Sequence, residues 1–132
     1  MDITIAGSSG IGTIKEGQKL SEVVSRFSPI IEQLGFKAVQ FFSTGQFPGT
    51  GIVYLVPERV AFDELHSAIS GSGVSFNANR WPYNPHCTLA AVSNPVGDLG
   101  FADSLEIPEA TEIKCFSLYL PELGGGTRIH QF

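Results

Sequence analysis

Apolar positions along the 132-residue chain return with two different periods. From Lys15 onward, Leu20, Val23, Val24, Phe27, Ile31 and Leu34 recur at the spacing of one helical face, and Gly35 supplies a natural stop. Pro29 falls inside this pattern, so either the helix kinks there or Ser28 caps a second short helix with Pro29 at its first position. A further helical stretch, "PERVAFDELHSAIS", sets Phe62, Leu65 and Ile69 on one face and ends at Gly71. His66 lies beside that face and is expected to be a half-buried packing or capping residue.

Other segments read as strands. Ile3 and Ile5 flank Thr4, which predicts a strand from Asp2 to Ala6 leading into the turn "GSSGIG". "FKAVQFFS" and "GIVYLVP" predict two strands joined by the loop "TGQFPGT". "GVSFNANRWPYNP" reads as a loop with room for a short strand, and it leads into a strand containing His86. After a loop containing Asn94, Pro95 and Gly97, "EIKCFSLYLPE" and "GGTRIHQF" predict a strand, a glycine-rich turn and a final strand. Strands interspersed with two principal helices give an α+β fold, and the length corresponds to a single domain over 1–132.

Composition narrows the partners. Hydrophobic residues make up 42% of the chain and Phe occupies 10 positions, which supports a packed core rather than disorder. A net charge of -5 argues against a general nucleic-acid binder, which would carry a basic stripe. A small phosphate ligand is compatible with this charge, because a few local donors suffice. The run "IVYLV" is far shorter than the roughly 20 apolar residues of a membrane span. The start "MDITIAGSSG" lacks the basic and long apolar regions of a signal peptide. The expectation is a cytoplasmic protein with no membrane partner, in which Cys87 and Cys115 are buried free thiols rather than a disulfide.

Chemistry concentrates in "YNPHCTLA", Tyr83 to Ala90. On an extended chain His86 and Thr88 point one way while Cys87 and Leu89 point the other, so an imidazole and a hydroxyl are offered together. The glycine-serine turn near the start is a different case. It lacks the Lys-Ser/Thr ending of a P-loop and the dinucleotide spacing, and reads as a turn.

The pair His86 and Thr88 resembles the His-x-Thr signature of the two-histidine phosphoesterase superfamily, which includes RNA 2',5'-ligase-like proteins and cyclic nucleotide phosphodiesterases. "PHCTLA" after an aromatic loop, "GIVYLVPE" followed by a helix containing "ELH", and a closing strand pair are together similar to that family's carboxy-terminal lobe. The likeness runs from about Leu20 to Phe132. It implies two pseudo-symmetric lobes of mainly antiparallel sheet around a cleft, each contributing one motif. One histidine would deprotonate a hydroxyl or water, the other would protonate the leaving oxygen, and the two Ser/Thr hydroxyls would hold phosphate oxygens. Imidazole suits both tasks near neutral pH. No metal or cofactor is expected, since no His/Cys/Asp/Glu cluster has metal-ligand spacing.

The first motif departs from the pattern. In "DITIAG", Thr4 aligns with the family's threonine, but Asp2 stands where the histidine would be. A carboxylate there repels phosphate and is poorly matched to proton transfer at neutral pH. Family members also carry a strand and helix before this motif, so the amino-terminal lobe is expected to be incomplete. The expected site therefore comprises Asp2, Thr4, His86 and Thr88. Around it, Arg80, Trp81 and Tyr83 could frame a base or bind a phosphate, and Arg128 with His130, two residues apart on one face, could supply a cation or a substitute histidine.

The reading is a domain that binds a nucleotide, a cyclic phosphate or an RNA end, and that is a slow or inactive 2',3'-cyclic phosphodiesterase. The alternative is a non-catalytic ligand-binding or protein-interaction module that keeps only the fold. A bared apolar edge left by the missing elements also predicts a homo-oligomer.

Overall fold

Side chains from two helices and a central sheet close on two neighbouring apolar clusters, which set the path of the chain. The computed structural model describes residues 2–91, 106–122 and 125–132. Within them the order is α1 (Leu20–Leu34), β1 (Ala38–Val39), β2 (Phe41–Gln46), β3 (Ile52–Pro57), α2 (Arg59–Ser70), β4 (Cys87–Ala91), β5 (Thr111–Glu112), β6 (Ser117–Glu122) and β7 (Gly125–Gln131). Every ladder is antiparallel: β2-β3-β4, β1-β5 and β6-β7. The fold is α+β with two helices and antiparallel sheets. No helix among the described residues is long and apolar enough to cross a membrane.

The first cluster joins Val23 and Phe27 of α1 to Leu65 and Ile69 of α2 and to Val74. The second joins Val39, Phe41, Leu55 and Cys87 to Phe62 of α2. Helix α2 thus serves both, because Phe62, Leu65 and Ile69 share one face. Ile5 and Phe36 pack against both clusters. Phe36 meets Phe62 and Phe116 edge-on, at 4.7 Å and 5.6 Å between ring centroids. Full burial of Leu55 and Leu65 contributes about 1.5–3 kcal/mol each.

Helix α1 is one continuous helix through Pro29. Pro29 removes an amide donor, but Ser25 and Pro29 both lie on the exposed side, where water can satisfy the freed carbonyl. The helix begins at Leu20 rather than near Lys15 because the preceding residues are engaged elsewhere. Lys15 N donates to Ser75 O, and the Gln18 amide both donates to Ser75 O and accepts from Ser75 N.

Two expected strands are broken. "FKAVQFFS" divides at Gln40, whose carbonyl accepts from Glu58 N, so β1 pairs with β5 and β2 with β3. Strand β2 also runs on to Gln46, into the expected loop. "EIKCFSLYLPE" divides likewise into β5 and β6. The loop around Asn94, Pro95 and Gly97 and the turn at Leu123 and Gly124 lie outside the described residues.

The segment from Asp2 to Ala6 forms only a single antiparallel bridge, Ile3 with Cys87. Beyond it the chain is stitched to residues 66–84. Gly10 N donates to Trp81 O, Asn84 N to Ser9 Oγ, Asn79 Nδ2 to Gly7 O, and Asn77 N to Thr13 O. His66 sits inside this clasp. Its Nδ1 is 2.7 Å from Ile5 O, its Nε2 accepts from Ile11 N, and its ring stacks on Tyr83 at 3.7 Å. Gly10 must lie close to these rings. It has φ +70°, and a Cβ there would overlap His66 and come within 2.8 Å of the Tyr83 Cβ.

Gly10→Ala is therefore expected to destabilise the chain by about 1–3 kcal/mol. Gly17→Ala shares a left-handed backbone, φ +87°, but meets open space and should cost less. Urea midpoints measure the difference; equal losses would contradict the close clasp.

Candidate functional site

The bridge between Ile3 and Cys87 organises the site. The bridge is a single antiparallel one, so alternation about it would set Asp2 toward Thr88 and Thr4 toward His86, on the side away from Ile3 and Cys87. Cys87, at 0% exposure, and Ile3 pack into the second cluster, so the opposite side faces outward. Asp2, Thr4 and Thr88 are exposed there and His86 is half-buried. Strand pairing extends the row across the sheet, since Tyr54 lies opposite Thr88 and Gly45 opposite Tyr54.

His86 is held in one protonation pattern by geometry. Its Nδ1 lies 2.7 Å from Asn84 O, and a carbonyl can only accept, so Nδ1 carries the hydrogen and donates it. In the neutral ring this leaves the lone pair on Nε2. Asn84 is itself fixed, because its N–H donates to the buried Ser9 hydroxyl at 2.9 Å. The imidazole also meets Phe47 and Tyr54 edge-on. Sequence reasoning passed over Phe47, Tyr54, Ser9 and Asn84. A signal was present for Tyr54, whose position in "IVYLV" alternates with the buried Val53 and Leu55.

The framing residues divide. Tyr83 stacks on His66, and its hydroxyl lies 3.5 Å from Thr4 O, so it belongs to the support beneath the site. Trp81 is 58% exposed, with Arg80 over its ring at 4.6 Å. Arg128 and His130 lie on β7 and do not share a face. Leu118 pairs with His130 while Tyr119 pairs with Arg128, so a bulge at Ile129 breaks the alternation. His130 packs edge-on against Phe132, whereas Arg128 is exposed.

Both thiols are free, with Cys87 buried and Cys115 half-buried. Burial pushes the Cys87 thiol above its ordinary value, and the nearby Asp2 carboxylate adds to this. Burial also pushes the Tyr83 phenol upward, with Asp63 adding to the effect and Arg59 opposing it. A hollow lined by Ser21, Glu22, Ser25 and Arg26 lies on α1 and includes none of the candidate residues. No family model matches this chain, and comparisons with curated proteins and with solved structures give no match.

The two raised values carry a sign. At pH values above the ordinary thiol and phenol values of 9.0 and 10.0, the unfolded chain loses protons that the folded chain keeps. The unfolded state is then favoured, so stability should fall as pH rises through this range. Thermal melts from neutral pH upward are expected to show a declining Tm, with a smaller decline in Cys87→Ala. A flat profile would contradict the raised values.

Proposed function

We propose that the outward face of Asp2, Thr4, His86 and Thr88 binds a phosphate ester of a nucleotide, a cyclic phosphate or an RNA end. One observation carries this reading. The Ile3–Cys87 bridge brings two short polar motifs, Asp-x-Thr and His-x-Thr, side by side, with Cys87 buried and Ile3 half-buried against the same cluster. That pairing supports the resemblance to two-histidine phosphoesterases, in which two His-x-Thr motifs face one another. The two hydroxyls would donate to phosphate oxygens, and His86 Nε2 would exchange a proton with the ester.

The local charge favours a diester. Asp2 brings a negative charge to the face, Arg59 is engaged by Asp63 and Tyr83 O, and Arg80 lies over Trp81. A cyclic phosphate, with a single negative charge, meets less repulsion than a monoester carrying about -1.5 to -2. The same carboxylate favours the second reading, a module that binds without turnover, since Asp2 is a poor proton shuttle at neutral pH. The two free thiols go with the cytoplasmic setting expected from the sequence.

Asp2→His separates the two readings. It removes the carboxylate and supplies a second imidazole, so hydrolysis of a 2',3'-cyclic nucleotide should rise by about 10²- to 10⁴-fold. The gain should disappear when His86→Ala is added. A folded Asp2→His variant with no gain would rule out the enzymatic reading.

We also propose self-association through exposed apolar surface. Phe42 on β2 is 59% exposed, and Tyr119, Leu120 and Ile129 lie exposed on the β6-β7 ribbon. Light scattering is expected to give a dimer or larger species that dissociates on dilution. A monomer at high concentration would contradict this.

A further inference from the structure

Three rings meet on the outer face beside Thr88. Tyr54 stands across from Thr88 on β3, and Phe47 follows the end of β2 at the hairpin tip. Their centroids are 4.4 Å apart and their planes are tilted by 33°. The His86 ring stands across both, 5.1 Å from Phe47 at 86° and 5.5 Å from Tyr54 at 66°.

We propose that Phe47 and Tyr54 are positioning residues for His86, holding its imidazole edge-on so that Nδ1–H stays on Asn84 O and Nε2 stays presented to the ligand. The inference rests on the phosphoester reading for the task that Nε2 performs.

His86 needs such walls because it stands one residue before β4, outside the hydrogen-bonded ladder. Its bond to Asn84 O spans only two residues, so it ties the ring to its own loop and not to the sheet. Phe47 and Tyr54 make the tie to the sheet. Aromatic faces are electron-rich and ring edges electron-poor, so the steep angles of 86° and 66° between the imidazole and the two rings are favourable arrangements.

The walls are themselves braced. At the hairpin tip, Phe47 N donates to Ile52 O at 3.1 Å, and Phe47 O accepts from Thr50 N at 3.1 Å and from Thr50 Oγ1 at 2.8 Å. Gln46 Nε2 closes the turn onto Thr50 O at 2.9 Å. Tyr54 is seated on Gly45, where a Cβ would come within 2.6 Å of its ring. A side chain at 45 would displace the ring from this seat.

The test reads the His86 tautomer by nitrogen-15 NMR in the full chain. The parent should show a single Nδ1–H form. Phe47→Leu and Tyr54→Leu, which keep apolar bulk and lose the ring face, should each show a mixture of the two neutral tautomers. Phe47→Tyr should restore the single form, and thermal melts identify variants that remain folded. A single Nδ1–H form in both leucine variants overturns the proposal, as does its loss in Phe47→Tyr. Titration of the parent with a 2',3'-cyclic nucleotide is read separately. Lack of binding would overturn the phosphoester reading, while the tautomer measurement would still decide whether the two rings position His86.

Discussion

The structure depends on satisfying the backbone of residues 2–15. This segment forms neither a helix nor a ladder, yet Ser9 and Gly12 within it are buried, and a buried peptide group without a partner costs on the order of 1–3 kcal/mol. His66 meets the need with two nitrogens of opposite role, one donating to Ile5 O and the other accepting from Ile11 N. The loop before β4 supplies further backbone partners through Ser75, Asn77, Asn79 and Trp81, and Asn84 N–H bonds the Ser9 hydroxyl. An apolar side chain at 66 would fill the same space and leave Ile5 O and Ile11 N–H facing each other without a mediator. A polar residue on the edge of a core-facing helix thus ties that helix to residues 61 and 55 positions earlier.

The candidate site is a consequence of that clasp. Ile3 reaches Cys87 because the residues after it are fixed to the residues before His86, and the bridge then decides which side chains share a face. Ser9 shows the link most directly. Its hydroxyl accepts the Asn84 N–H, and the carbonyl of the same Asn84 accepts the His86 proton. A change at the clasp would therefore reach the imidazole through one residue. Tyr83 joins the two as well, with its ring on His66 and its hydroxyl near Thr4 O.

Helix faces and strand alternation were legible in the sequence because they are local. Phe62, Leu65 and Ile69 recur at helical spacing, and they are the residues that α2 buries. Cys87 alternates with His86 and Thr88 and is the one that points inward. What escaped was contact between distant segments. The strand "FKAVQFFS" looks continuous until Gln40 O is claimed by Glu58 N, and the helical pattern before Leu20 is overridden by bonds to Ser75. Arg128 and His130 obey alternation on paper, and a bulge at Ile129 sends them to opposite faces. The aromatic neighbours of His86 were hidden for the same reason, since Phe47 and Tyr54 come from another hairpin.

Burial on one side of the bridged strands explains how a fold of this kind can alter its chemistry without losing its shape. Ile3 and Cys87 carry the packing, so substitutions there would act on the core. Asp2, Thr4 and Thr88 face water, where a change of side chain typically shifts stability by no more than about 0.5 kcal/mol. An aspartate at the exposed position 2 therefore weighs little on folding, and it adds a negative charge to the face that His86 shares. His86 is constrained differently. It is half-buried, bonded to Asn84 and bounded by two rings, so it is coupled to the scaffold in a way that Asp2 is not. The two sides of one candidate site thus have unequal freedom to change. The histidine is held by the ring contacts and the hydrogen bond around it, while Asp2 lies exposed on the same strand pair.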